Sequence, residues 1–237
     1  MARTSRRAFL PFALAAVLGL VVFAAVPRPV LAQQAEIERV DASLAVLQDI
    51  INLPEKGVPQ WLLSKAEGLA VIPGVIKAAY VLGGEYGKGI IMVRTKDGKW
   101  SDPAFLKLAS GSVGWQVGVQ RTDIVLVFKT RESVYKITEG KFTLGATASV
   151  AAGPVGRSAQ ASTDVELKAE IYSYSRSKGL FAGLAISGAS LSIDEAANEA
   201  FYGYHEGRHS GEILYGNGLK APDVAGRLLD FLDRVVR

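Results

Sequence analysis

The chain has 237 residues, with 27 lysine and arginine residues against 23 aspartate and glutamate residues, and no cysteine. The lack of cysteine excludes disulfides, thiolate nucleophiles, cysteine metal sites and lipid attachment through a cysteine side chain. Four arginines and no acidic residue lie in the first 32 positions, so the rest is formally neutral, with 23 basic against 23 acidic residues, and the basic balance of the whole chain does not indicate nucleic-acid binding.

The first part of the chain has the organisation of an export signal. A basic start is followed by an apolar run of 18 residues from Phe9 to Val26, and Ala32 precedes the expected cleavage point. The stretch Ser5-Arg6-Arg7-Ala8-Phe9-Leu10 resembles a twin-arginine signal. We therefore expect residues 1–32 to direct export and residues 33–237 to form the mature protein, in the periplasm or outside the cell. An uncleaved leader kept as a membrane anchor is the alternative, because its apolar run nearly spans a bilayer.

Helical patterns occur at both ends of the mature part. The first helix is predicted from apolar residues at helical spacing, namely Ile37, Val40, Leu44, Leu47 and Ile51. A short helix is predicted from Pro59. Ser192-Ile193-Asp194-Glu195 has the spacing of a capping box and predicts a helix that ends at Gly203. The last helix is predicted to begin near Pro222, with its apolar stripe at Val224, Leu228, Phe231, Leu232 and Val235.

The segment between these helices is mostly strand-like. Six strands are predicted, at 88–95, 112–120, 123–129, 142–152, 165–175 and 180–191. Ile124–Phe128 is continuously apolar, as in a strand buried on both faces, and Trp115 shares its side of an alternating strand with valines, which indicates a core position. We expect an α+β fold: a single domain with a strongly curved, mainly antiparallel sheet, open or barrel-like, and N-terminal and C-terminal helices packed on it.

Two short matches to enzyme motifs are weak. His205-Glu206-Gly207-Arg208-His209 matches the H-E-x-x-H motif of zinc hydrolases. Gly203 ends the preceding helix, Gly207 and Gly211 weaken any helix through the motif, and no third ligand stands at a familiar spacing. Ser175-Arg176-Ser177-Lys178 matches S-x-x-K without the companion motifs. We expect neither catalysis nor a cofactor, and a zinc hydrolase is the least favoured alternative.

Three glycine-rich turns have basic and aromatic neighbours: Gly83–Lys88, Gly153–Arg157 and Tyr174–Phe181. Backbone amides in such turns form anion-binding nests, and lysine and arginine add positive charge. This combination suits a phospholipid head group next to its acyl chains. Ordinary hairpin turns are the alternative, which composition alone favours.

The same turns belong to a longer series of segments in a fixed order, namely Lys65–Pro73, Gly83–Gly89, Gly98–Pro103, Gly111–Gln120, Ala151–Arg157, Tyr174–Gly183 and Tyr202-Gly203. This series, from about Leu63 to Gly203, resembles the SYLF domain, a lipid-binding module known from bacteria to animals. The resemblance implies a non-enzymatic domain. Eukaryotic relatives bind phosphoinositides through basic residues and an amphipathic segment, and yeast relatives also bind actin, but an exported protein would meet neither partner.

The resemblance and the turns together imply an exported protein that binds anionic phospholipid of the cell envelope, peripherally to the membrane. The residues expected to contact lipid are Lys88, Arg157, Arg176 and Lys178, with Phe181 near the acyl region. The alternative is an envelope structural or assembly protein that docks a protein partner through the sheet edge or the N-terminal helix. Nucleic acid is not an expected partner.

Overall fold

The computed structural model describes residues 28–51, 53, 57–140, 142–155, 168–177, 180–183, 186–204, 210–216 and 219–236. These residues form six helices and seven strands. The helices are α1 (Arg28–Ile51), α2 (Gln60–Ser64), α3 (Arg131–Thr138), α4 (Glu195–Tyr202), α5 (Ser210–Tyr215) and α6 (Asp223–Val235). The strands are β1 (Gly68–Val93), β2 (Ala104–Phe128), β3 (Phe142–Thr143), β4 (Val150–Ala152), β5 (Ile171–Ser177), β6 (Leu180–Gly183) and β7 (Ser190–Ile193).

β1 and β2 form one long antiparallel ladder. They have 26 and 25 residues and pair from Gly68 opposite Phe128 to Ile91 opposite Ala104. The turn that joins them contains Gly98 at a φ of 80°, a conformation that favours glycine. The prediction of separate strands at 88–95, 112–120 and 123–129 is wrong, because these segments belong to two long continuous strands, β1 and β2.

β2 organises the rest of the sheet. It pairs with β1 along one edge and with both β7 and β5 along the other, in the order β3-β7-β2-β5-β4, while β6 pairs with β5. The β4–β5 pair is parallel and the other pairs are antiparallel. The strands predicted at 142–152 and 180–191 are each divided in two, with Gly145 and Gly188 at positive φ in the divisions. The predicted α+β fold with a mainly antiparallel sheet is confirmed.

The long ladder folds back on itself. A Cβ atom added at Gly87 would lie 2.7 Å from Val75 and 2.8 Å from Ile72, and one at Gly89 would lie 2.1 Å from the Val71 carbonyl oxygen. The second half of β1 therefore lies directly against the first half. The two ends of the ladder also meet, because the Arg94 amide donates to the Glu67 carbonyl at 2.9 Å. The chain must reverse between Val75 and Gly87, and this bend lies at the end of the sheet opposite the turn.

Both faces of the curved sheet are buried. Val125 and Val127 pack in one cluster with α1, α2, α4 and α6. Ile124, Leu126 and Phe128 point the other way, into a second cluster that includes residues of α3, α5, β3 and β7. This confirms the interpretation of Ile124–Phe128 as a strand buried on both faces, and it explains the lack of hydrophobic-polar alternation there.

The predicted positions of three helix ends agree with the structure, namely the end of α1, the start of α6 and the end of α4. α1 ends at Ile51 and α6 begins at Asp223, as expected from their periodicity. Gly203 ends α4 in the left-handed region, at a φ of 69°. The capping box is wrong, because Ser192 belongs to β7 opposite Lys107, and the helix begins only after Asp194. The start of α1 at Arg28 places the expected cleavage point, after Ala32, inside this helix.

α3 and α5, of eight and six residues, were not predicted. Both are too short to show a clear helical period, and each makes its buried contacts with distant parts of the chain. α3 is fixed at its start by Thr130, whose side chain accepts a hydrogen bond from the Ser133 amide at 3.3 Å. The sequence contains this local capping signal, but the prediction of a mostly strand-like segment did not take it into account.

Candidate functional site

Lys88, the first of the expected lipid contacts, lies in an ion-pair cluster within the protein. It stands directly opposite Lys107 in the β1–β2 ladder. Both ammonium groups contact the Asp194 carboxylate, Lys88 at 3.1 Å and Lys107 at 2.9 Å. Like charges directly opposite one another are destabilising in a sheet, so Asp194 relieves a repulsion and at the same time attaches the start of α4 to the ladder.

The Asp194 carboxyl is almost completely buried, with 3% of its side chain exposed, whereas the two lysines keep 38% and 37% exposed. Burial alone would raise the pKa of Asp194, but the hydrogen bonds and charges of Lys107 and Lys88 outweigh it and hold the pKa below its usual value. Lys88 is therefore engaged by a charged carboxylate at neutral pH. Its assignment as a lipid contact stays a prediction.

Arg176 holds a second ion-pair cluster. Its Nε and Nη2 donate to Asp123 Oδ2 at 3.0 and 2.8 Å, and its Nη1 donates to Asp49 of α1. Asp123 and Arg176 are directly opposite in the β2–β5 ladder. The hydrogen bond to Asp49 is the main reason that the pKa of Arg176 is raised. Arg176 therefore connects β5, β2 and α1, with only 25% of its side chain exposed.

Two of the glycine-rich segments pack on each other. A Cβ atom at Gly153 would lie 2.1 Å from the ring of Tyr174, so only glycine lets the backbone lie flat on this buried ring. The Tyr174 hydroxyl donates to the Pro154 carbonyl at 3.3 Å. Part of this pattern therefore has a structural role. Arg157 and Lys178 lie outside the described residues, so both stay predicted lipid contacts.

Phe181 belongs to β6, where its backbone pairs with Arg176, and its side chain is not described. Three aliphatic side chains near it are exposed: Ile76 by 42%, Val119 by 79% and Leu180 by 78%. They lie where β1, β2, β5 and β6 meet at the bend. We call this surface the sheet tip, and it comprises Ile76, Lys77, Val119, Gln120, Arg121, Ser177 and Leu180.

Backbone pairing and one side-chain bond place the sheet tip residues together. Ile76 pairs with Arg121 and Lys77 with Gln120, while Ser177 pairs with Leu180. Gln120 Nε2 donates to Ser177 Oγ at 2.9 Å, which joins the two ladders. This surface was not expected from the sequence, in which Val119 shares one side of its strand with Trp115, an expected core residue. The exposure of Val119 shows that this side is not buried along its whole length.

The charge of the sheet tip is positive. It contains Lys77 and Arg121 and no acidic residue. Glu85, outside the sheet tip, bonds the Lys77 ammonium at 2.9 Å and offsets its charge, while 45% of the lysine side chain stays exposed. Arg121 is exposed, and its side chain has no hydrogen bond or ion pair to the described residues. Aliphatic side chains flanked by long basic side chains are the arrangement found at membrane interfaces, where the aliphatic groups insert and the charges remain at the head groups.

The described residues contain neither a cluster of metal-ligating side chains nor a membrane-spanning helix. No group of three histidine, cysteine, aspartate or glutamate residues among them could hold a metal ion. The His205–His209 match lies outside the described part, so the zinc alternative is not tested there. No helix in that part is long and apolar enough to cross a membrane.

Comparisons with known proteins identify the family. The sequence model described as "Ysc84: Las17-binding protein actin regulator" matches residues 109–235. Protein YSC84 of Saccharomyces cerevisiae is 40% identical over 179 residues, which are 74% of this chain and 37% of that protein. LAS seventeen-binding protein 3 of the same yeast is 35% identical over 181 residues, 75% of this chain and 39% of its own length.

An animal relative matches a similar part of the chain. SH3 domain-containing YSC84-like protein 1 of Xenopus laevis is 34% identical over 183 residues, 77% of this chain and 54% of that protein. The chain thus spans roughly a third to a half of the length of these relatives, from 37% to 54%. The family description names binding and regulation, and one of these relatives is named for binding. With a family match over more than half of its length and relatives above 30% identity, the chain belongs to the Ysc84 (SYLF) family.

Proposed function

We propose that this protein is an exported, non-enzymatic member of its family that binds anionic phospholipid surfaces of the cell envelope through the sheet tip. The observation that carries the proposal is the exposure of Ile76, Val119 and Leu180 beside Lys77 and Arg121. Exposed apolar groups that are clustered rather than scattered mark interaction surfaces. The surrounding positive charge favours an anionic partner.

The distribution of the aliphatic groups over the two faces of the sheet favours a lipid surface over a protein partner. Gln120 and Ser177 share a face because their side chains are hydrogen-bonded, and Leu180 stands opposite Ser177 on that same face. Val119, next to Gln120, points to the other face, since neighbouring residues of a strand alternate. A flat protein surface would cover one of these faces, whereas a lipid interface surrounds both.

The basic residues expected from the sequence divide into two groups. Lys88 and Arg176 are engaged by carboxylates within the protein, which argues for structural roles. Lys178 lies in the chain between Ser177 and Leu180 of the sheet tip, so its position supports a contact with head groups. Arg157 and Phe181 remain predicted contacts on the basis of the family resemblance.

Replacing Val119 and Leu180 together by serine is expected to weaken membrane binding by about tenfold or more, because burying one such side chain contributes about 1.5–3 kcal/mol. The measurement is co-sedimentation of the purified exported protein with vesicles containing phosphatidylglycerol, compared with vesicles of phosphatidylcholine alone. The matched control is Tyr135→Ser, which removes a side chain that is 53% exposed on α3, away from the sheet tip. The control should bind like the wild type.

Two results would contradict this proposal. One is equal, negligible sedimentation of the wild-type protein with both kinds of vesicle. The other is undiminished binding of the Val119→Ser/Leu180→Ser protein. If that variant still sediments but loses a protein that co-purifies in stoichiometric amount, the sheet tip is a docking site for an envelope protein. That alternative draws support from a relative named for binding LAS seventeen.

Export is tested separately at the paired arginines. Replacing Arg6 and Arg7 by lysine should leave the protein in the cytoplasm, because the twin-arginine route reads the pair itself rather than its charge. Cell fractionation of a bacterial host followed by immunoblotting measures this. The control is Arg3→Lys, which lies outside the pair and should be exported normally. Export of the Arg6→Lys/Arg7→Lys protein at the wild-type level would show that this route is not used.

A further inference from the structure

A cleft of about 930 Å³ opens at the end of the sheet opposite the sheet tip. It lies between the β1–β2 turn, the start of α3, α5 and one residue of α6. Four basic residues line it, namely Arg94, Lys96, Lys99 and Arg131. None of the sheet tip residues takes part, so this cleft is independent of the proposed membrane surface.

The cleft has an excess of positive charge. Its acidic lining residues are Asp97 and Asp102, against four basic ones. A hydrogen bond from Thr95 lowers the pKa of Asp97, so this exposed carboxylate keeps its charge at neutral pH. Burial raises the pKa of Asp102. Outside the lining, Glu67 bonds Arg131 at 2.7 Å and, together with Asp233, acts on the charge of Arg94. The exposed Lys96 and Lys99 therefore supply the positive charge that an anion entering the cleft would meet first.

Arg94 gives the cleft its rigid base. Its Nε, Nη1 and Nη2 donate to three backbone carbonyls, of Ala66 at 3.0 Å, Gly98 at 2.9 Å and Leu63 at 3.2 Å. Since these acceptors are neutral, none of them cancels the guanidinium charge. The same guanidinium lies 4.5 Å from the centre of the Trp100 ring, which fixes the indole by a cation–π contact. Arg94 thus positions both the turn and Trp100.

Trp100 carries a buried N–H group beside the cleft. The residue is 5% exposed and lines the cleft. Its Nε1 has no hydrogen-bond acceptor among the described residues. A buried indole N–H ordinarily finds an acceptor, because leaving it unbonded is unfavourable. Because this atom is almost inaccessible to solvent, a ligand in the cleft would reach it only after a shift of the Trp100 side chain.

An apolar notch adjoins the cleft. It has a volume of about 500 Å³ and is lined by Arg131, Glu132, Tyr135 and Tyr215. The two tyrosine rings are 6.4 Å apart at 53°, and they are 53% and 47% exposed. Arg131 and Tyr215 line both cavities, so the notch continues the cleft past the Arg131 guanidinium.

Arg131 connects the two cavities chemically. Its Nε donates to Glu67 Oε2 at 2.7 Å, and its two terminal amino groups have no partner among the described residues. A guanidinium can bind an anion in its plane and stack an aromatic ring on its face. Two tyrosine rings line the notch together with Arg131, while the cleft offers Lys96 and Lys99 to the anion.

We propose that the cleft and the notch together bind a small anionic ligand that carries a phosphate or carboxylate group next to an aromatic ring. The anionic group lies against Arg131, Lys96 and Lys99. The ring packs against the exposed surfaces of Tyr135 and Tyr215, which line the notch. This site makes the protein a receptor for a soluble ligand in addition to any lipid surface that it binds.

Isothermal titration calorimetry on the purified exported protein tests the site with phenyl phosphate, benzoate, inorganic phosphate and phenol. At least one of phenyl phosphate and benzoate should bind saturably, and the tighter of the two shows whether the site prefers a phosphate or a carboxylate group. Inorganic phosphate should bind more weakly because it lacks the ring, and phenol should not bind because it lacks the charge. Raising the salt concentration should weaken binding, since the basic residues are exposed to solvent.

Three variants locate the binding. Lys96→Gln/Lys99→Gln should weaken binding of the preferred ligand by about tenfold, because two charge-assisted contacts are lost. Tyr135→Ser should weaken binding of the ring-bearing ligands and leave the affinity for inorganic phosphate unchanged. The control is Arg227→Gln on α6, where Arg227 bonds Asp41 of α1 at 2.6 Å instead of lining the cleft.

All four substitutions in these three variants replace exposed or half-exposed side chains, and unaltered thermal unfolding without ligand confirms that the proteins are folded. The proposal is overturned if none of the anionic ring compounds binds the folded wild-type protein. It is equally overturned if the Lys96→Gln/Lys99→Gln protein binds them as tightly as the Arg227→Gln protein does. Neither result depends on whether the sheet tip binds membranes.

Discussion

Replacing Gly89 by alanine is expected to destabilise the protein by about 3 kcal/mol or more, because overpacking a rigid interior is costly. The added Cβ would lie 2.1 Å from the Val71 carbonyl oxygen and 2.8 Å from the Ile72 Cα. Both neighbours are backbone atoms of a buried strand, so no side chain can rotate away to make room. The two halves of β1 would have to separate, and the fold-back of the ladder would be lost. Urea unfolding followed by circular dichroism measures the change in the free energy of unfolding.

Gly111→Ala is the matched control for this experiment. Gly111 lies in the same ladder, opposite Gly84, and a Cβ added there would meet nothing within 4 Å. Its free energy of unfolding should stay within about 0.5 kcal/mol of the wild type, as for most surface substitutions. Equal effects of the two substitutions would show that the close approach at Gly89 does not exist in solution. They would also remove the reason for a bend that exposes the sheet tip.

Replacing Asp194 by asparagine is expected to cost about 2–3 kcal/mol, because it leaves charged lysines without their counter-ion. Lys88 and Lys107 are directly opposite one another, and the nearly buried Asp194 carboxylate is within 3.1 Å of both ammonium groups. The asparagine side chain keeps the shape but not the charge. Thermal and urea unfolding measure the loss, with Asp230→Asn on the exposed side of α6 as the control that should change little.

A second substitution distinguishes the loss of attraction to the Asp194 carboxylate from the repulsion between Lys88 and Lys107. Adding Lys107→Met to Asp194→Asn removes one of the two unpaired charges and should restore part of the lost stability. No recovery in the double variant would mean that the two lysines do not repel each other in the folded protein. In that case the interpretation of Lys88 as a structural residue fails, and its predicted contact with lipid regains weight.

The effect of Asp194 should also depend on pH. The lysines hold its folded-state pKa below the ordinary value of 3.8, so the carboxylate contributes stability above that pH. This contribution is lost as the pH falls through the lower folded-state value, because the proton then neutralises the carboxylate. The difference in unfolding free energy between the wild type and Asp194→Asn should therefore shrink below about pH 3.8. A difference that grows on acidification would contradict this assignment.

The ion pairs at Lys88 and Arg176 change the meaning of the glycine-rich segments. From the sequence, basic residues beside such turns suggested anion binding. In the folded protein, Lys88 attaches α4 and Arg176 attaches α1 to the sheet, while Gly153 lies flat on the Tyr174 ring. These parts of the family pattern therefore maintain the curved sheet. The proposed membrane contact is at the bend that this curvature produces.

The sequence by itself determined the features that depend on near neighbours in the chain. The helical period located α1 and α6, Gly203 marked the end of α4, and the run Ile124–Phe128 showed a strand buried on both faces. Segments in fixed order also identified the family. Each of these signals is local, since periodicity, helix caps and turns act within a few residues.

Only the tertiary structure decided the features that join distant residues. The approach of Gly89 to Val71 turns two long strands into a folded ladder, and Asp194 reaches lysines about a hundred residues away in the chain. The capping box failed for the same reason, because pairing with Lys107 places Ser192 in a strand. The sheet tip and the anionic cleft likewise combine residues from several elements. Such contacts depend on sheet curvature and strand register, which no local pattern specifies.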